Sequence, residues 1–164
     1  MELKIFTNIK ELEKLIAKYP QAAHDAQVSR VTEASEFMEG EIKDLAPVGA
    51  GPKHLRDTIF QKVNVFGQNV QGIVGTPAKY GEAVELGTRP HFPPVAPILF
   101  WVKKQLGLTG KEAVSVAHAI VRKIGKKGTN ATPFFLYAVT RNEAKVIRIL
   151  EQIPADIIKQ VQGN

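Results

Sequence analysis

The stretch from Tyr80 to Pro97, YGEAVELGTRPHFPPVAP, constrains the fold of this chain more than any other. A partly apolar segment runs into a Gly-Thr turn, and Gly87 is expected there at a positive φ that residues with a Cβ resist. Ala83, Val84 and Leu86 fit either a short strand or a helical turn, because periodicity cannot decide over so few residues. Glu85 has two readings: a buried carboxylate bonded to backbone amides or to Arg89, or a solvated loop acid. Pro93, Pro94 and Pro97 then form a stiff ramp into a third helix, expected over Ile98 to Leu106. That helix carries Phe100 and Trp101, and Trp101 reads as a core or interface anchor rather than a ligand-stacking ring.

Upstream, Asn8 and Glu11 have the spacing of a capping box, and Ile9, Leu12, Leu15, Ile16 and Tyr19 follow as an apolar stripe. Pro20 closes or kinks this helix. A longer helix is expected from about Pro20 to Leu45, with a thin stripe of Ala23, Val31, Ala34, Met38, Ile42 and Leu45. Glu33, Glu36, Glu39 and Glu41 occupy its other positions, as on a helix lying at a surface or against another chain. Pro47 stops it, VGAGPKH is a loop, and Leu55 to Ile59 lead into a hairpin. Ile59, Gln61, Val63 and Val65 alternate with polar neighbours, and Val70, Gly72 and Val74 return after a turn containing Gly67 and Asn69. Two strands alone are marginal in water, so the hairpin needs helices or a partner sheet, and its exposed edge is a candidate contact.

Downstream, Thr109 and Glu112 have capping-box spacing, and Ala113, Ala117, Ile120 and Ile124 give one apolar helix face. Gly125 is expected to end this helix, with Arg122, Lys123, Lys126 and Lys127 clustered where the helix dipole favours cations. Thr132-Pro133 is a helix start with Phe134 and Phe135 turned inward. The last long helix is expected to run to about Ile153 with Val139, Val146, Ile147 and Leu150 inward. Pro154 interrupts it, and Ile157, Ile158 and Val161 continue a terminal piece.

A chain of 164 residues is most simply a single domain over 1–164, long enough to bury a core without staples. Its parts are a helical region (1–45), the hairpin and Gly-Thr turn (46–90) and a basic helical region (91–164). The expected fold is α+β: a small antiparallel sheet built on the central hairpin, covered by several helices, with the Ala83–Leu86 segment as a candidate further strand. The net charge of +6 is unevenly placed. Met1 to Leu45 holds six basic and nine acidic residues, net −3, and Trp101 to Arg148 holds ten basic and two acidic, net +8. This asymmetry suits an acidic partner, a polyanion or a complementary copy of the same chain, or simply two solvated helices.

Several chemistries find no support. There is no cysteine, which removes disulfides, thiolate catalysis and zinc-thiolate sites and fits a reducing compartment. The four histidines (His24, His54, His91 and His118) include no close helical pair of the metalloprotease kind. GxSxG, GxxxxGK[ST] and GxGxxG are all missing. His91 beside Arg89 reads as a hydrogen-bonded loop residue before a proton carrier. No apolar run reaches the roughly 18 residues of a membrane span, and the charged N-terminus does not read as a signal peptide. The reading is a non-enzyme without cofactor or metal. A nucleic-acid module is the competitor, since basic residues from Lys103 to Lys127 suit phosphates. Few aromatics interleave with them in the sequence, and no RRM, KH or zinc-finger signature is present, so non-specific DNA contact stays open without sequence reading.

Three ordered blocks carry a family resemblance. They are Ala46-Pro47 followed by LRDTI (Leu55, Arg56 to Ile59), then KYGEAVELGT (Lys79 to Thr88, with Tyr80, Glu85 and Gly87), then the GT…PFF segment (Gly128 to Pro133, Phe134 and Phe135). The chain thereby resembles the tail-completion and head–tail joining proteins of tailed bacteriophages, including minor tail protein Z-like and neck-associated tail-component proteins. The segment between the Gly-Thr turn and the Pro-Phe segment, with Trp101 and the basic helix, is similar to that of the longer members. The resemblance implies a virion structural protein of the neck or tail, assembled in the host cytoplasm and acting without chemistry. Implied partners are other phage neck or tail proteins and copies of itself in a ring, with no membrane contact. Ring closure would set Glu33, Glu36 and Glu39 near a neighbour's Arg122, Lys126 and Lys127, with Trp101 and Lys123 as further interface candidates.

Overall fold

A computed structural model describes residues 9–48 and 54–162. The expected box of Asn8 with Glu11, the side chains of Ile9, Leu12 and Leu15, and most of the VGAGPKH loop lie outside what it describes. Helices dominate, with one antiparallel pair of strands, so the α+β expectation is met. The described chain packs as two compact units, one of residues 9–41, 60–75 and 138–162, the other of 42–48, 54–59 and 76–137.

In the first unit, helix α1 (Ile9–Lys18) ends at Tyr19 and α2 (Pro20–Leu45) begins at once. The Tyr19 carbonyl accepts the Ala23 N–H at 2.9 Å, so Pro20 occupies a first-turn position where its missing N–H costs nothing. Ile16, Tyr19 and Ala22 pack around Ala23 and Ala26, and Ile153 and Ile157 of α8 (Ile153–Gln162) complete this small core. Along α2, Ala23 and Ala34 are buried while Val31 and Met38 are half-covered.

The hairpin pairs β1 (Phe60–Phe66) with β2 (Asn69–Gly75) in the register Phe60↔Gly75 to Phe66↔Asn69. Gly67, at φ 60°, takes the first turn position, while Asn69 pairs with Phe66 and belongs to the strand, not to the turn as expected. Strand alternation puts Val63 and Gly72 on one face. That face lies on α2: a Cβ on Gly72 would overlap Ser35 Oγ, whose hydroxyl is donated to the Val31 carbonyl at 2.7 Å. The glycine is thus the notch into which α2 fits. The helix α7 (Phe134–Leu150) contributes its later turns to this unit, where Lys145 Nζ stands 3.8 Å from the Phe37 ring centroid and Asn142 donates to Glu41 at 2.9 Å.

The second unit holds a short helix α3 (Leu55–Thr58), α4 (Tyr80–Leu86), α5 (Val95–Gln105) and α6 (Gly110–Lys127). The Ala83–Leu86 segment is helical, so it adds no strand to the sheet; seven residues from Tyr80 complete nearly two turns before Gly87 ends them. Helix α5 starts at Val95, three residues before the expected Ile98, because Pro97 sits in its first turn, where proline is tolerated. Helices α5 and α6 pack through Val102, Ala113 and Ala117, all fully buried, with Val95, Ile98, Leu99, Val116 and Ile120 around them. Two alanines on one face let the helix axes approach closely.

Three further expectations change. Thr109 is the N-cap residue of α6, but its side chain makes no capping bond, so the box with Glu112 does not form. Gly125 lies inside α6; the helix ends at Gly128, φ 72°, whose N–H bonds to the Ile124 carbonyl at 2.8 Å. Helix α7 ends at Leu150, a turn at Glu151 and Gln152 follows, and Pro154 sits in the first turn of α8. The most deeply buried positions of α7 are Phe134, Ala138 and Ile149, while Val139, Val146, Ile147 and Leu150 are half-buried.

Candidate assembly site

The three sequence blocks meet in the second unit. Leu55 is buried, and its Cδ1 comes within 3.4 Å of where a Cβ on Gly81 would stand, so the first block packs on the second. Thr58 and Thr76 hydroxyls bond at 2.7 Å, and Arg56 reaches Asp44 at 3.4 Å. The second block grips the third through Glu85. Its Oε2 accepts the Phe135 N–H at 2.9 Å and its Oε1 the Leu136 N–H at 3.0 Å. A helix start leaves such N–H groups without partners and carries positive potential, so a carboxylate from α4 is the natural cap for α7. Glu85 is half-buried and bonded to amides, which selects the first of its two readings, with backbone in place of Arg89.

Two Gly-Thr dipeptides close the same joint. Gly87 at φ 71° and Gly128 at φ 72° each precede a threonine, and Thr88 and Thr129 form an isolated antiparallel bridge. Thr88 N–H donates to the Thr129 carbonyl at 3.1 Å, Thr129 N–H to the Thr88 carbonyl at 3.3 Å, and the two hydroxyls lie 3.0 Å apart. A Cβ on Gly87 would stand 2.5 Å from the Thr129 carbonyl oxygen, and one on Gly128 would overlap the Thr88 carbonyl oxygen. Both glycines are therefore required twice, by φ and by close backbone approach. Thr132 N–H adds a bond to the Val84 carbonyl at 2.8 Å. Sequence reasoning expected a positive φ at Gly87 and placed Gly128 in the third block without assigning it one.

The remaining candidates are surface residues apart from the Pro133–Phe135 segment. Trp101 is 39 % exposed on α5, so it is no core residue. Tyr80 is exposed, Pro133 precedes α7, and Phe134 is 3 % exposed where Phe135 is only half-buried. Arg122, Lys123, Lys126 and Lys127 are all exposed on α6. On α2, Glu33 accepts from Arg30 at 2.7 Å, Glu39 also has an interaction within the chain, and Glu36 is exposed. Sequence reasoning did not single out the outer face of the hairpin, where Phe60, Phe66 and Ile73 are exposed beside Lys62, Asn69 and Gln71. Nor did it single out Phe92, 73 % exposed with its ring laid on Gly125 of α6.

The chemistry of ionisable groups is correspondingly plain. An open groove in the first unit is lined by Lys18, Tyr19, Arg30, Asp156 and Lys159. Its guanidinium and carboxylate are locked to each other, Arg30 Nη2 to Asp156 Oδ1 at 2.9 Å with a second bond from Nε. That hydrogen-bonded pairing holds the Asp156 carboxyl below its ordinary range and pushes the Arg30 guanidinium up. Among the described residues no group of three or more His, Asp or Glu is placed to hold a metal ion, and no helix is long and apolar enough to cross a membrane.

Residues 10–87 match the model of a family described as "Bacteriophage HK97-gp10, putative tail-component". The matched span takes in α2, the hairpin and α4, hence the first two blocks up to Gly87. No curated protein and no solved structure matches the chain.

Proposed function

We propose, for a chain whose residues 10–87 match the model of an HK97-gp10-like family of phage tail components, that it completes the tail or joins it to the head. In this reading it is a virion structural protein, put together in the host cytoplasm, that works by binding neck or tail proteins and copies of itself in a ring. The observation that carries the assembly role is the hairpin. Each of β1 and β2 has one strand edge with no further strand on it among the described residues. Its outer face also shows Phe60, Phe66 and Ile73 to solvent. Unpaired edges beside exposed apolar side chains are what strand addition by a neighbour would cover.

Complementation tests both levels. A phage deleted for this gene should accumulate heads and tails that electron microscopy shows unjoined, and the wild-type chain should restore joined particles. A Phe66→Lys, Ile73→Lys chain should melt like wild type yet fail to restore them. Joined, infectious particles in the deletion would sink the joining role; full rescue by the hairpin variant would remove the hairpin from it.

A further inference from the structure

Charge in this molecule segregates by unit. The described residues of the second unit hold eleven Lys and Arg against five Asp and Glu, net +6, whereas the first holds nine against ten, net −1. Within the second unit three of the five acids are already engaged: Asp44 with Arg56, Asp57 with the His54 amide, and Glu85 with the start of α7. The surplus is ordered along α6. Lys111, Ser115, His118, Arg122 and Lys126, spaced by three or four residues, are all exposed and lie opposite the buried Ala113, Ala117 and Val121. No acidic residue falls in this stripe, and Lys111, Arg122 and Lys126 have no acidic partner among the described residues.

The helix dipole accounts for Lys126 and Lys127 at the C-terminal turn, but not for Lys111 in the first turn, where a cation is disfavoured, nor for Arg122. At one end of the stripe the exposed Phe92 ring lies on Gly125, and on α5 Lys104 stands 5.8 Å from the centroid of the exposed Phe100. One aromatic ring, Phe92, therefore borders the cations of α6, and a second cation–ring pair lies on α5.

We propose that the outward face of α6 binds the phosphate backbone of duplex DNA without reading its sequence. From Lys111 to Lys126 the stripe spans about 22 Å at the 1.5 Å rise of a helix, a length that meets a row of phosphates. A second copy's α2 is the weaker occupant, because Glu33 and Glu41 are bonded to Arg30 and Asn142 and Glu39 also has an interaction within its own chain. This inference stands on the charge of α6 and not on the tail assignment.

Fluorescence anisotropy with the full chain and a labelled mixed-sequence duplex of about 20 base pairs, over about 50–300 mM KCl, tests it. Wild-type affinity should fall with salt at a log–log slope near −3, about 0.9 for each of three phosphate contacts. Lys111→Glu, Arg122→Glu, Lys126→Glu together should weaken binding at least about tenfold at low salt and leave mass in solution unchanged. No wild-type binding at low salt, or equal binding by the variant, overturns the proposal. So does poly-glutamate that competes as well as unlabelled duplex, or a variant whose oligomeric state changes in place of its DNA affinity; either would assign the stripe to a protein. If the triple variant does not fold, Arg122→Gln with Lys126→Gln decides, and undiminished binding by that pair overturns the proposal.

Discussion

Gly125 and Gly128 stand three residues apart, one inside α6 and one capping its end, and carry opposite expectations. Gly128 sits at φ 72° with the Thr88 backbone against it, so Gly128→Ala combines a left-handed conformation with a clash that no side-chain rotation relieves. A loss of about 1–3 kcal/mol, read as a lower thermal midpoint by circular dichroism, is the expected result. Gly125 lies within α6, and the atoms nearest a Cβ there belong to the side chain of Phe92, which is exposed, and not to backbone. Gly125→Ala should leave the midpoint equal or raise it, since alanine improves a helix interior by roughly 0.5–1 kcal/mol. The reverse ranking would mean that α6 stops at Gly125. The sequence suggested that reverse ranking, because a glycine after an apolar stripe reads as a C-cap. Only the partner strand at Thr88 reveals which glycine is needed. Glu85 was ambiguous for the same reason: the amides it caps lie fifty residues on.

At the scale of elements, α2 and α8 are held by a small alanine-rich core and by Arg30 with Asp156, whose side chains are only 21 % and 26 % exposed. The bond from Arg30 depresses the Asp156 carboxyl in the folded chain below its unfolded value. Its stabilisation is therefore complete above the ordinary aspartate range near pH 4 and disappears as pH falls through the depressed folded value. Wild type should lose thermal midpoint between about pH 5 and pH 2, and Asp156→Asn should be less stable at pH 7 but flatter over that window. Parallel pH profiles for the two proteins would show the pair to be inert. Much at this level could be read beforehand: the break at Pro20, the hairpin and the alanine face of α6 follow from local periodicity and proline placement. What could not be read depended on tertiary partners. Phe134 and Phe135 are adjacent and equivalent in sequence, yet only Phe134 is buried, because the Glu85 cap fixes the rotation at which α7 begins.

For the whole molecule, the net charge of +6 resides almost entirely in one of its two compact units, whose cations have few acids near them. Such a unit repels itself, and the repulsion is exposed to solvent and so open to screening, with a Debye length of about 10 Å at 0.1 M salt. The opposing effect of salt, loss of ion pairs, is small here. Arg56 with Asp44 is an exposed pair at 3.4 Å, of the kind typically contributing about 0–1 kcal/mol, and Arg30 with Asp156 is half-buried and screened less. Relief of repulsion should therefore win. The thermal midpoint should rise as sodium chloride is increased from about 0.02 to 0.3 M, and Lys111→Gln with Lys126→Gln should reduce that rise. A midpoint that falls with salt would mean that ion pairs outweigh the surplus charge. The cations of α6 would then be structural, and a polyanion would have nothing uncompensated to bind.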